Sequence, residues 1–351
     1  MVKRVPDYDR TKIEEECMNK REYIEASSRL HRKRRKQGRW SPFREFIEYY
    51  HENFQPQPSD VYERSLEKPT FRMLSIHSHN GCNLACKGCN HHSGVLAPGS
   101  DLSIDSLLKD LEILLPRIHV WSHASVLGGE ALLEPRSEEV LNLLEDYYQN
   151  KVFIKIFSNG LLLPRNQDWI LEHMKRGTIL RISLHQSPLN KVGRRTYDNV
   201  HDLIKVAKQE GIDLKNTLEI SEPWDDWWFD LLQWDGKKFY PWESGSAEES
   251  FSYCTAPNLQ LYSGKLWKCP SIAYLHETLT STGQLDDPEW QKYLNYYATP
   301  IDAPIEQLFA MAHQVITPHE ICTKCNADPV WYRANKQLSG VKKVAPQYDT
   351  I

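Results

Sequence analysis

No stretch of the 351-residue sequence is apolar for long enough to cross a bilayer. The run 152–157 is among the longest and already contains a lysine, well short of the roughly 18–20 residues a span requires. The N-terminus, MVKRVPDYDRTKIEEEC, lacks the apolar core of a secretion signal. Positive charge is not in excess either. The 43 basic and 47 acidic residues leave a net charge of −4, so a polycationic nucleic-acid partner is not expected. Glycine and proline number only 16 and 20, which excludes collagen-like and low-complexity chains. What remains is a globular composition, 40% hydrophobic and 26% charged, long enough for two domains or one large one with extensions. The expectation is a soluble, cytoplasmic protein with no membrane partner.

Eight cysteines stand at 17, 82, 86, 89, 254, 269, 322 and 325. Seven fall into two groups and Cys17 stands apart. In a reducing compartment, clustered thiols point to bound metal rather than to disulfides.

Four regions are expected. Residues 1–68 form a charged helical extension and linker. It holds a helix over 11–30, the basic run 31–39, a short amphipathic helix with Phe43, Phe46, Ile47 and Tyr50 on one face, and a break at 55–60. A basic run can touch RNA, but a solvated helix face is its commoner meaning. Residues 69–225 alternate strand and helix. Strands are expected at 71–77, 121–127, 152–157, 179–184 and 214–220. Helices lie between them: one from Ile104 capped by Ser103, one with Val140, Leu143, Leu144 and Tyr147 inward, one over 169–176 stopped by Gly177, and one over 197–208. This alternation means a parallel sheet with crossover helices, doubly wound or curled into a barrel, with ligands at the strand C-termini. Residues 226–335 lose the alternation and gather tryptophans (Trp224, Trp227, Trp228, Trp234, Trp242). They also carry a hairpin turning at Ser263-Gly264, and are taken as a smaller cysteine-stapled α+β domain. Residues 336–351 are a tail.

Cys82-Asn-Leu-Ala-Cys86-Lys-Gly-Cys89 follows the first strand directly. Three thiolates in one short loop can converge on one centre. On an iron–sulfur cluster, usually held by four cysteines, they would leave one iron open for chemistry. Zinc is the alternative, with His77, His79, His91 or His92 as a fourth ligand.

The CxxxCxxC loop, Gly128-Gly129-Glu130 after the second strand and Ser158-Asn159-Gly160 after the third together resemble the radical S-adenosylmethionine (SAM) superfamily. The resemblance covers about 70–225 and implies a partial (β/α)6 barrel with a buried, apolar interior. It implies that Cys82, Cys86 and Cys89 bind three irons of a [4Fe–4S] cluster whose open iron chelates SAM. It also implies that Gly128 and Gly129 let the backbone approach the methionine amino group, with Glu130, Asn159 and Ser183 as further cofactor contacts and His185 a weaker one. Many members carry an aromatic residue before the third cysteine; here it is Gly88.

Cys254, Gly264 and Cys269, with Cys322-Thr-Lys-Cys325, resemble the SPASM and twitch auxiliary-cluster domains of the same superfamily. That implies one second, fully ligated [4Fe–4S] cluster on Cys254, Cys269, Cys322 and Cys325. A four-cysteine zinc site is the alternative. The tryptophan-rich stretch either stacks a sugar or base or packs around this domain. As a whole the resemblance implies an oxidoreductase-type radical SAM enzyme. Its substrate would be a small molecule or sugar-linked group, or a peptide, and its reductant a flavodoxin or ferredoxin. Peptide or RNA modification and a metal-stapled interaction protein are the competing readings.

Overall fold

The computed structural model describes residues 68–96, 103–186, 189–221, 230–254 and 258–328, with the backbone of 227–228 and 332–333. The expected N-terminal helices, the basic run, Cys17, Trp224 and the tail lie outside them. Among the described residues no helix is long and apolar enough to cross a membrane.

Five strand–helix units build the frame. Strand β1 (Thr70–His79) leads to α1 (Ile104–Leu114), where the Ser103 hydroxyl accepts from the Ser106 N–H as expected. Then come β2 (His119–Gly128), α2 (Ser137–Tyr148), β3 (Phe153–Ser158), α3 (Leu163–Lys175), β4 (Ile179–Ser183) and α4 (Lys191–Gln209). The last unit is the short α5 (Leu214–Thr217) with β5 (Leu218–Ser221).

The differences from expectation are local. Helix α2 buries Val140, Leu141, Leu144 and Tyr148, whereas Tyr147 is exposed and its hydroxyl donates to the Leu115 carbonyl. The inward face is therefore rotated by one position. Helix α3 begins earlier, because Pro164 suits a first turn, and it stops before Gly177, whose φ of +99° no helix continues. The fifth strand gives up its first half to a helical turn, closed by the Thr217 hydroxyl on the Asp213 carbonyl.

The main sheet runs β11-β10-β9-β1-β2-β3-β4-β5. Six consecutive strands of it are parallel, but the sixth is not β5's neighbour. It is β9 (Leu259–Tyr262), which pairs with the other edge of β1. The antiparallel β10 (Lys265–Trp267) and β11 (Thr299–Pro300) extend that edge. The hairpin expected in the C-terminal region thus continues the main sheet through a turn at Ser263 (φ 50°) and Gly264 (φ 69°).

Strand alternation gives the sheet two unlike faces. Leu74, Ala124, Ile154, Leu180 and Leu259 share one face in register, and they join one apolar cluster with the buried sides of α1–α4. Crossover helices on a single face define an open, partial barrel rather than a doubly wound sheet. The inner face carries Ser75, His77, Ser125, Lys155, Arg181, Glu219 and Gln260. Phe157 and Ile179 share this face with them, so the expected apolar interior is corrected: it is mixed, with polar and charged groups among apolar ones.

The rest of the C-terminal region comprises β6 (Trp227–Trp228), β7 (Gln233–Trp234), β8 (Phe239–Tyr240), α6 (Ala247–Ser252), α7 (Pro270–Ala273), α8 (Leu275–Ser281), α9 (Pro288–Leu294), α10 (Ile305–Ile316) and β12 (Tyr332–Arg333). A second apolar cluster around Phe239, Leu275, Trp290 and Ile321 holds α8 and α9. Helix α10 packs instead on the main core through Leu308, Met311 and Val315.

Candidate functional site

The first cysteine loop leaves the C-terminal end of β1 and coils through tight turns, with Cys89 N–H donating to the Cys86 carbonyl and His92 N–H to that of Cys89. Gly88 sits at φ 77°, a left-handed conformation that an aromatic residue would resist. The departure at this position therefore has a backbone cause. Burial, then the Glu130 carboxylate and the Cys86 and Cys89 thiolates, push Cys82 well above its ordinary pKa. Burial and Cys86 push Cys89 up to about 11. The three thiols therefore feel one another, and bound metal would reverse these shifts.

Gly128 and Gly129 meet the start of this loop. A Cβ on Gly128 would lie 2.3 Å from the His79 carbonyl oxygen, and one on Gly129 2.0 Å from that of Gly81. Their lack of a side chain is already used by the chain itself: Gly129 N–H donates to His79 and Glu130 N–H to Gly81, at 2.7 and 2.9 Å. Glu130 is buried, and its two carboxylate oxygens accept from the backbone N–H groups of Leu132 (3.2 Å) and Asn159 (2.8 Å). Burial raises its pKa against those hydrogen bonds. Asn159 in turn donates through Nδ2 to the Asn83 Oδ1 at 2.6 Å, inside the cysteine loop, and accepts from Leu161 N–H. The cysteine loop, Gly128-Gly129-Glu130 and Ser158-Asn159-Gly160 are thus one hydrogen-bonded unit across the ends of β1, β2 and β3.

Ser183 ends β4, where it shares a 3.4 Å hydroxyl contact with Ser221 of β5. His185 follows; burial lowers its pKa to about 4, with Glu130 pulling it back. Below them on the inner face, Glu219 pairs with Lys155 at 2.7 Å and with Arg181 at 3.1 Å, and the Arg181 guanidinium lies over Phe157.

The second group converges as well. Cys254, Cys269, Cys322 and Cys325 line one cavity with Lys268 and Lys324. Three of the four cysteines stand at the end of an element, and Cys322 lies within the short turn Glu320–Lys324. Cys254 follows α6, Cys269 precedes α7, and Cys325 follows that turn, which Trp242 and Ser244 N–H groups cap at the carbonyls of Lys324 and Thr323. Burial pushes Cys322 up to about 11 and also raises Cys325, while the lysines oppose both shifts.

The two sites are neighbours. Cys86 and Cys89 line a cavity closed by residues 230–239, and Leu231 lines both that cavity and the second one. Tyr274, fully buried, feels thiolates of both groups, Cys89 and Cys269. Its ring packs on His77 (4.4 Å), Tyr262 (4.9 Å) and His91 (5.2 Å). Of the histidines weighed as a fourth ligand, His77 bonds Asn80 at 2.7 Å and His92 contacts the Ser271 hydroxyl at 3.3 Å. Trp234 packs on Phe239 at 4.5 Å, which is packing around the site.

Among the described residues, no three His, Cys, Asp or Glu side chains are close enough to share one metal ion. Three thiols on one loop and four around one cavity are the donor sets an iron–sulfur cluster takes.

Asn83, Lys155, Arg181, Glu219, Lys268 and Lys324 were not among the expected site residues. The alternation of Lys155 with Ile154 and Ile156, and of Arg181 and Ser183 with Leu180 and Ile182, was a signal of polar groups on the inner face. For the two lysines the signal was the repeated Lys-Cys pair, at 268–269 and 324–325.

Residues 76–221 match the family model described as the Radical SAM superfamily. No curated protein matches the chain. Among solved structures it is similar to native anSMEcpe with bound AdoMet, at 19% identity, TM-score 0.33, over 43% of each chain. It is also similar to native anSMEcpe with bound AdoMet and the Kp18Cys peptide, at 21% identity, TM-score 0.32, over 42% of each chain. The chain thus spans less than half the length of these relatives.

Proposed function

We propose that the protein is a radical SAM enzyme that acts on a polar, sugar-linked substrate with help from one auxiliary cluster. The observation that carries this reading is the bonded unit of three motifs at three successive strand ends. When bound, a cluster reduced by an external one-electron donor would supply that electron to SAM, whose reductive cleavage to methionine would provide the hydrogen-abstracting chemistry. The chain's own part is positioning. Cys82, Cys86 and Cys89 hold the cluster. Glu130 and Asn159 fix the loop that presents it, with Gly128 and Gly129 keeping the backbones in contact. Ser183 stands at the same mouth as a contact for the cofactor. Cys254, Cys269, Cys322 and Cys325 hold the auxiliary cluster.

The inner face supports a polar substrate. Hydroxyls of Ser75 and Ser125 and the Lys155–Glu219–Arg181 network offer donors and acceptors to a hydroxyl-rich group, with the two cations exceeding the one anion. A one-electron donor of the flavodoxin or ferredoxin kind would act as partner.

Metal content tests the assignment. Anaerobically reconstituted protein should be brown and hold about eight irons per chain, the sum of two four-iron clusters. Cys86→Ala and Cys322→Ala should each hold about four, and only Cys322→Ala should keep a paramagnetic signal that changes on adding SAM. Colourless protein holding zinc would instead favour a metal-stapled interaction protein.

A further inference from the structure

Two lysines of the C-terminal region are as deeply buried as its apolar core: Lys268 is 2% exposed and Lys324 1%. Burying an ammonium is costly unless its donors and its charge are both answered. Both are answered at the four-cysteine cavity, which the two lysines line together with Cys254, Cys269, Cys322 and Cys325. The Lys324 Nζ donates to the Cys325 Sγ at 3.2 Å. The Lys268 Nζ donates to the carbonyls of Gln314, Val315 and Thr317 at the C-terminal end of α10, where a helix favours a cation. It also lies 4.5 Å from the centre of the Phe251 ring, which lines the same cavity. Packing alone does not need this arrangement, since an apolar side chain would fill the space at lower cost.

We infer that Lys268 and Lys324 raise the reduction potential of the auxiliary cluster and so fit this site to accept an electron. This rests on the proposal that the four cysteines hold a [4Fe–4S] cluster. Reduction adds one electron, and one negative charge, to a centre already made negative by four thiolates. Two ammonium groups held in a medium of low dielectric favour the more negative state. An N–H···S hydrogen bond withdraws charge from the sulfur in the same direction. Net charge and hydrogen bonds to the sulfurs are the protein's main means of setting cluster potentials. No atom is transferred in this step; one electron arrives and the cluster core is reduced by one.

The test uses the full chain with Cys82, Cys86 and Cys89 all changed to Ala, so that only the auxiliary site loads. Iron and sulfide are counted first, and the midpoint potential is then read by a redox titration followed by electron paramagnetic resonance. Absence of iron from this parent would contradict the auxiliary cluster itself. With the cluster present, Lys324→Gln and Lys268→Gln should each shift the reduction equilibrium at least tenfold toward the oxidised form, about 59 mV for one electron. Lys324→Arg, which keeps the charge and a donor, should restore most of the shift. Fully loaded Gln variants at the parent's potential would overturn the inference. So would loss of iron in both Gln variants, which would make the lysines braces of the fold.

Discussion

At the scale of single residues, the sharpest constraint falls on Gly129. Its Cβ would have to occupy space 2.0 Å from the Gly81 carbonyl oxygen, a backbone atom of the cysteine loop that cannot swing aside. Gly129→Ala should therefore destabilise the protein by about 1–3 kcal/mol and impair iron loading at the first site. Gly245, with open space around it, provides the control: Gly245→Ala should melt within a degree or two of the parent. Equal melting of the two variants would show that the approach of Gly129 to the loop is not a constraint. The cysteines were legible in the sequence because ligand spacing is local, so three thiols in one loop need no knowledge of the fold. Lys268 and Lys324 were not, since a lysine looks like surface until its burial is known. Glu130 stood in a recognisable motif, but its task became visible only when its two oxygens were found on the N–H groups of Leu132 and Asn159.

Elements were read with uneven success, and the reasons are physical. Periodicity placed β1–β4 and α1 within a few residues, because each has a clean apolar face, whereas α3 and α4 begin six residues earlier than expected, α4 from the Asn190 cap. It erred where a capping residue outweighed the pattern: Pro164 started α3 early, and Asp213 with Thr217 turned the first half of the fifth strand into a helical turn. The pairing of β9 with β1 joins residues far apart in the chain and leaves no local signature. One clamp between elements has a pH signature. Glu145 of α2 receives His173 at 2.7 Å and Arg176 at 2.9 Å, at the end of α3, and also the Thr178 hydroxyl. Burial alone would raise its pKa, but the hydrogen bonds from His173 and Thr178 and the Arg176 charge outweigh it and hold Glu145 below the ordinary value of 4.5. A carboxylate depressed in the fold contributes stability above its unfolded pKa and loses it as pH falls through the folded one. Urea unfolding should therefore show a stability loss below about pH 4.5 that is smaller in Glu145→Gln. Identical acid profiles for the two proteins would contradict this account of the clamp.

For the whole molecule, the topology places two cysteine sites side by side at the C-terminal edge of an open barrel. Leu231 and Tyr274 stand between them. The barrel presents its helices to one side and, on the other, a face that mixes polar and charged groups with Phe157 and Ile179. The sequence class was legible because strand–helix alternation and three motifs in order are global patterns. The charged network of the interior was not, because Lys155, Arg181 and Glu219 lie on separate strands and only the register brings them together. The two sites should also be separable in function: Cys322→Ala should retain part of the SAM cleavage that Cys86→Ala abolishes. Equal loss in both, with the first cluster still assembled, would contradict that division of labour.

The most direct test of the central claim is 5′-deoxyadenosine formation from SAM by anaerobically reconstituted protein with dithionite, read by mass spectrometry against Cys86→Ala. Product is expected from the intact chain and none from the variant. Two loaded clusters with no product from the intact chain would contradict the claim.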